Sequence, residues 1–172
     1  MSEQNLGNEP RIEIFTPGDS VGIRQLVRPD AQTYFDLLDE DRAHLSQFGD
    51  QTAGKYQTVE DVEGSIDKPV LGKYRFGIWD DETMVGANNI TILGDGLGET
   101  GSWVGAAYIG NHYAERGRKT LIIFAFEYLG LRQLVSKVAI GNEASRKSVE
   151  ASGYTFDHEE DGQWVYVLKK EE

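Results

Sequence analysis

The chain of 172 residues contains no cysteine, which excludes disulfides, thiolate metal sites and a cysteine-linked acyl intermediate. It has no uninterrupted apolar run approaching the ~20 residues that a membrane-spanning helix needs. Met1 to Pro10 is polar and lacks the apolar core of a leader, so a cytoplasmic location is the expectation. Histidine is also scarce: His44, His112 and His158 are widely spaced and lack the close pairing of a metal motif, and no metal is expected. Positive charge is the other shortage. Seventeen Lys and Arg stand against twenty-nine Asp and Glu, a net charge of -12 that opposes binding to phosphate backbones and anionic membranes. Neither a nucleic acid nor a membrane is an expected partner. The same field draws cations such as an amine or a basic peptide terminus, although surface acidity also serves solubility alone.

What is present reads as one folded unit, residues 18–172, behind a flexible amino-terminal tail over 1–17, with no internal repeat or low-complexity block. Val21 to Val27 alternates as a first strand with Arg24 facing out. Pro29-Asp30 starts a helix carrying Tyr34, Leu37 and Leu38, and a second short helix through Arg42, Leu45 and Phe48 stops at Gly49. Together these two are placed to wall a cleft. Thr58 to Asp61 reads as a capping box for a further helix that ends before Pro69. Tyr74–Trp79 and Met84–Leu93 form a hairpin around Asp80-Asp81-Glu82, and a third run follows from Glu99 to Tyr108. Apolar residues then recur at helical spacing from Tyr113 to Leu129, closed by Gly130. A strand over Gln133–Ile140, a helix from Asn142 to Ser152 and a hairpin joining Tyr154–Phe156 to Trp164–Leu168 complete the order. The fold class expected is α/β, a mixed and mostly antiparallel sheet of about seven strands with helices on both faces.

The letters between Ser102 and Tyr154 carry the chemistry. Ser102-Trp103-Val104 is followed by Ile109-Gly110-Asn111-His112-Tyr113-Ala114, then by Ala125-Phe126-Glu127-Tyr128-Leu129-Gly130-Leu131, and finally by Asn142-Glu143-Ala144-Ser145 with Gly153-Tyr154. This segment resembles the acetyl-coenzyme A half of the GCN5-related N-acetyltransferases (GNAT), closest to their ribosomal-protein N-terminal branch. In that family a turn of pattern Arg/Gln-x-x-Gly-x-Gly/Ala presents helix amides to the coenzyme diphosphate, a use of free first-turn N–H groups and the helix dipole. The resemblance implies acetyl-coenzyme A (acetyl-CoA) as co-substrate, held by Trp103, Val104, Tyr108, Ile109, Gly110, Asn111, His112, Tyr113, Ala114, Arg116, Asn142 and Ser145. Two letters depart from the pattern, since Ile109 replaces the basic residue and His112 the central Gly. The imidazole either narrows the approach to phosphate or donates to it, as Asn111 does from its amide. A second register on Arg116-Gly117-Arg118-Lys119 would shorten the helix and detach the turn from its strand. In the first register, Arg116, Arg118 and Lys119 oppose the helix dipole and read as phosphate partners.

The resemblance further implies that the strand before the turn bulges over Trp103–Tyr108 and offers backbone amides to the oxyanion, with Gly105-Ala106-Ala107 permitting close approach. Ser145 inherits the role of acid toward the leaving thiolate, although Asn142 and Ser145 also read as ordinary helix caps. The base stays open between Glu99 and the cluster around His158 and Glu159. Three functions follow. One is direct acetylation of a primary amine, a protein or peptide N-terminus; another is a binding or regulatory protein on the same fold; the third is acetylation of a small cationic amine. An exposed sheet edge also makes a homodimer an expected possibility.

Overall fold

The computed structural model describes residues 10–172. Eight strands form one sheet in the order β1-β2-β3-β4-β5-β6-β8-β7. They are β1 Glu13–Phe15, β2 Val21–Gln25, β3 Lys73–Asp80, β4 Thr83–Gly94, β5 Leu97–Val104, β6 Gln133–Ala139, β7 Thr155–Glu160 and β8 Gln163–Lys169. Every pairing is antiparallel except β5 with β6, as expected for a meander followed by one crossover. The strand beyond the seven expected is β1, which lies within the segment read as a tail and pairs with β2 along Glu13–Phe15. Residues 1–9 of that segment fall outside the described residues.

Helices cover both faces because alternating side chains of the central strands feed two cores. On one face α5 (Tyr113–Ile123) and α6 (Glu143–Ala151) pack over Ile23, Phe76, Ile78, Ile90 and Leu134. On the other, α1 (Ala31–Glu40) and α4 (Val59–Asp67) place Tyr34, Leu37, Leu38 and Val62 against Trp79 and Ala87. Ile78 and its neighbour Trp79 thus face opposite cores. Short helices α2 (Arg42–Ser46) and α3 (Thr52–Lys55) follow α1 and are pinned by Arg42, which donates to the carbonyls of Ala53 (2.5 Å) and Tyr56 (2.6 Å). Thr58 and Asp61 close the expected capping box on α4.

Gly86 marks the tightest seam of the sheet. A Cβ there would lie 2.2 Å from the Trp103 carbonyl oxygen, so no larger residue fits while β4 and β5 keep their spacing. The long helix expected over Tyr113–Leu129 is continuous, but its last turn widens to π geometry over Phe124–Tyr128, with Leu129 N–H reaching the Phe124 carbonyl. Arg24, expected to face solvent, instead lays its guanidinium over the rings of Phe15 and Trp79 at 5.1 and 5.0 Å. Among the described residues no helix is long and apolar enough to cross a membrane.

Candidate active site

The sheet opens at its one parallel seam. β5 pairs with β6 only from Leu97 to Thr100, against Gln133 to Ser136. Beyond that point β5 stays on β4 through Val104 and β6 stays on β8 through Ala139, so the two strands part. Gly105 N–H donates to the Val85 carbonyl at 2.9 Å, and by the alternation of the ladder the main-chain groups of Ser102 and Val104 face away from β4 into the gap. No bulge interrupts Trp103–Tyr108, contrary to the expectation. Divergence of the strands does what a bulge was expected to do, and the chain turns instead into a 3-10 turn over Ala106–Tyr108, whose first N–H is capped by the Asp41 carboxylate at 2.7 Å.

The gap leads into a cleft of about 770 Å³ that reaches both faces of the sheet. Ala114, Arg118, Asn142, Ser145 and Ser148 line it on the α5–α6 side, and His44, Leu45, Phe48 and Asp50 on the α2 side. α5 begins at Tyr113 at the cleft mouth, which settles the register of the turn. His112 is its N-cap in a left-handed conformation (φ 58°), and no side chain caps the helix, so its first amides are available to an anion. The left-handed backbone explains why glycine suits this position. The imidazole itself is 74% exposed and lies 3.2 Å from the Glu115 carboxylate at the rim of the cleft.

Most of the residues expected at the site converge. Trp103, Val104, Tyr108, Ile109, Gly110, His112, Tyr113, Ala114, Asn142 and Ser145 all line the cleft. Four do not. Asn111 donates its amide back to the Tyr108 carbonyl at 3.3 Å, closing the 3-10 turn. Arg116 is drawn away to the Asp19 carboxylate, 2.5 Å distant. Glu99 pairs with Thr91 and Val135 inside the segment where β5 and β6 are still joined, so the strands have not yet opened at its position. His158 is on the outermost strand, 2.6 Å from Asp157, with β8 between it and β6. Neither candidate base is therefore brought to the cleft.

Asn142 accepts the Ser145 N–H at 3.2 Å and so caps α6 from within the cleft wall. Tyr113 lines the cleft with its body while its hydroxyl donates to Asp80 at 2.6 Å. Hydrogen bonds from Ser20 and then Tyr113 hold the Asp80 carboxyl below the usual range, and the bond from Arg116 does the same for Asp19. The start of α5 is thereby tied to the far strands at two points. His44, Phe48, Asp50, Lys137 and Gln163 line the cleft without any motif to announce them. Only the placing of the helix through Phe48 as a cleft wall pointed that way.

The sheet is a splayed mixed one with a cleft at its parted seam, and the chain belongs to the acetyltransferase (GNAT) domain family, which it matches over residues 20–155. It is an acetyl-CoA-dependent N-acetyltransferase of that family. Among solved structures it is similar to the ribosomal-protein-S5-alanine acetyltransferase from Vibrio fischeri, with a TM-score of 0.81 at 16% identity, over 92% of this chain and 96% of that one. Mycobacterium smegmatis RimJ in complex with CoA-disulfide gives a TM-score of 0.76 at 19% identity, over 92% and 86% of the two chains. A spermidine N-acetyltransferase SpeG chimera from Vibrio cholerae and hSSAT gives 0.73 at 15% identity, over 88% and 96%. No curated protein matches the chain by sequence.

Proposed function

We propose that this chain acetylates the primary amine of a protein or peptide N-terminus by direct sequential transfer, without a covalent enzyme intermediate. The observation that carries the reading is the parting of β5 and β6, which opens one cleft to both faces so that donor and acceptor can approach from opposite sides. The co-substrate supplies an acetyl thioester: the amine nitrogen forms the new C–N bond, the C–S bond breaks with its electron pair going to sulfur, and one proton passes from nitrogen while one is gained at sulfur. This chain's residues fit that group. The uncapped amides of Tyr113 to Glu115 suit its diphosphate, and the Ser102 and Val104 main-chain groups suit the amides and carbonyl of the acyl arm. Ser145, at the start of α6, is the proton donor to sulfur. His44 and Asp50 replace Glu99 and His158 as the titratable groups from which the base is drawn, because they line the α2 side.

Similarity to ribosomal-protein N-terminal acetyltransferases supports a peptide acceptor, and Phe48 and Trp103 give that side an aromatic wall. The net charge of -12, with Asp50 in the cleft, favours a small cationic amine as the second reading, and the similarity to a spermidine N-acetyltransferase chimera agrees with it. A screen of N-terminal peptides and polyamines with acetyl-CoA, read by thiol release, decides between them. Peptide turnover at a kcat/KM well above that of any polyamine is the expected result; polyamine turnover alone refutes the peptide reading.

A further inference from the structure

Arg118 is a buried cation of the cleft wall for which the described residues supply no counter-charge. It sits on α5 one turn below Ala114 and is only 4% exposed. A single nitrogen, Nη1, makes all its hydrogen bonds: to the Ser148 carbonyl at 3.0 Å, the Ser148 hydroxyl at 2.9 Å and the Ser152 hydroxyl at 2.9 Å, all on α6. Its Nε and Nη2 have no partner among the described residues, and no described carboxylate is within ion-pair distance. The nearest acid along the helix, Glu115, turns its carboxylate to His112, and the neighbouring Tyr154 hydroxyl is committed to Thr100 at 2.9 Å. A buried guanidinium without a counter-charge is costly, and a burial of this kind lowers the affinity of Arg118 for its own proton. Arg118 lines the same cleft as Ala114, Asn142 and Ser145, so an anion lying in that cleft is within its surroundings.

We infer that Arg118 is an anion receptor in the floor of the cleft, held in place by Ser148 and Ser152, and that its missing counter-charge arrives with the coenzyme. The chemistry it recognises is negative charge on oxygen or sulfur, which the coenzyme offers as phosphate or as the departing thiolate. This deepens the coenzyme reading above and rests on it. The bound anion then neutralises the buried cation and stabilises the folded chain.

Calorimetry of wild type, Arg118→Met and Arg118→Lys with coenzyme A and with desulfo-coenzyme A tests it. If the charge is a phosphate, R118M weakens both ligands alike, by roughly ten- to a hundredfold as for a lost charge-assisted bond, and R118K recovers part of the loss. If it is the thiolate, only coenzyme A weakens, and its thiol, followed by thiolate absorbance, ionises at lower pH on wild type than on R118M. Equal affinities and equal thiol ionisation in all three proteins overturn the inference while leaving coenzyme binding intact. A wild type that binds neither ligand defeats the coenzyme reading and this inference with it. Ligand-free R118M is expected to melt no lower than wild type, because it loses an unpaired buried charge; a variant that fails to fold would show a purely structural strut and would also overturn the inference.

Discussion

At the scale of single residues, the site rests on a few side chains held in conformations that their chemistry resists or requires. His112 occupies a left-handed backbone that costs an L-residue about 1 kcal/mol, and its ring gains only an exposed contact with Glu115. His112→Gly is therefore expected to raise stability by up to about 1 kcal/mol in urea unfolding; a lower midpoint would show that the imidazole contributes more than its geometry implies. Asp80 and Asp19 have folded pKa values below their unfolded ones. The stability they provide is complete above the ordinary carboxylate range and is lost as pH falls through the depressed values. Asp80→Asn should lower the melting temperature at neutral pH and leave it closer to wild type in strong acid; parallel profiles at every pH would contradict this. Ser145→Ala should reduce kcat far more than it changes coenzyme affinity if the hydroxyl protonates sulfur, and a change in affinity alone would assign it to ligand contact or packing instead. Such detail was only partly legible in the chain. The departure of His112 from the glycine pattern was plain, but the loss of Arg116 to Asp19 joins positions 97 residues apart, and no local pattern encodes that pairing.

Among the elements, periodicity carried most of the information because burial has a period. The α1 stripe of Tyr34, Leu37 and Leu38, the capping box of α4 and the α5 start at Tyr113 all form where spacing and cap chemistry place them. Strand ends were less legible. Tyr108 belongs to a 3-10 turn rather than to β5; the Asp41 carboxylate takes the first N–H of that turn, and Leu37 leaves no room for a Cβ at Gly105, contacts made only after folding. The run at 157–160, read as a candidate source of the base, extends β7 at the sheet edge, where exposed carboxylates discourage pairing with another chain. α6 matters most to the proposed site because its start brings Asn142 and Ser145 to the cleft. Asn142→Ala should destabilise the protein by about 1 kcal/mol through loss of the cap, with Asn142→Asp retaining most of it. An alanine variant as stable as wild type in thermal unfolding would place the role of Asn142 in ligand contact instead.

Across the described residues the sheet is fully paired toward both of its edges and parted in the middle, and the proposed site lies at that opening. The family was legible from the Ser102–Tyr154 letters, of which residues 102–104, 112–114 and 142–145 lie at the opening. The α2 side was legible only as a helix placed to wall a cleft, since folding alone brings His44, Phe48 and Asp50 to the same cleft as Trp103. The -12 charge also sets a condition on the account: an anionic coenzyme must enter against the field of the protein, so affinity should depend on the local amides and on Arg118 rather than on overall attraction. Titration calorimetry of the intact protein with acetyl-CoA tests the central claim most directly. One saturable site per chain, with a rise in melting temperature that grows with coenzyme concentration, is predicted. No heat and no thermal shift at millimolar acetyl-CoA would contradict it.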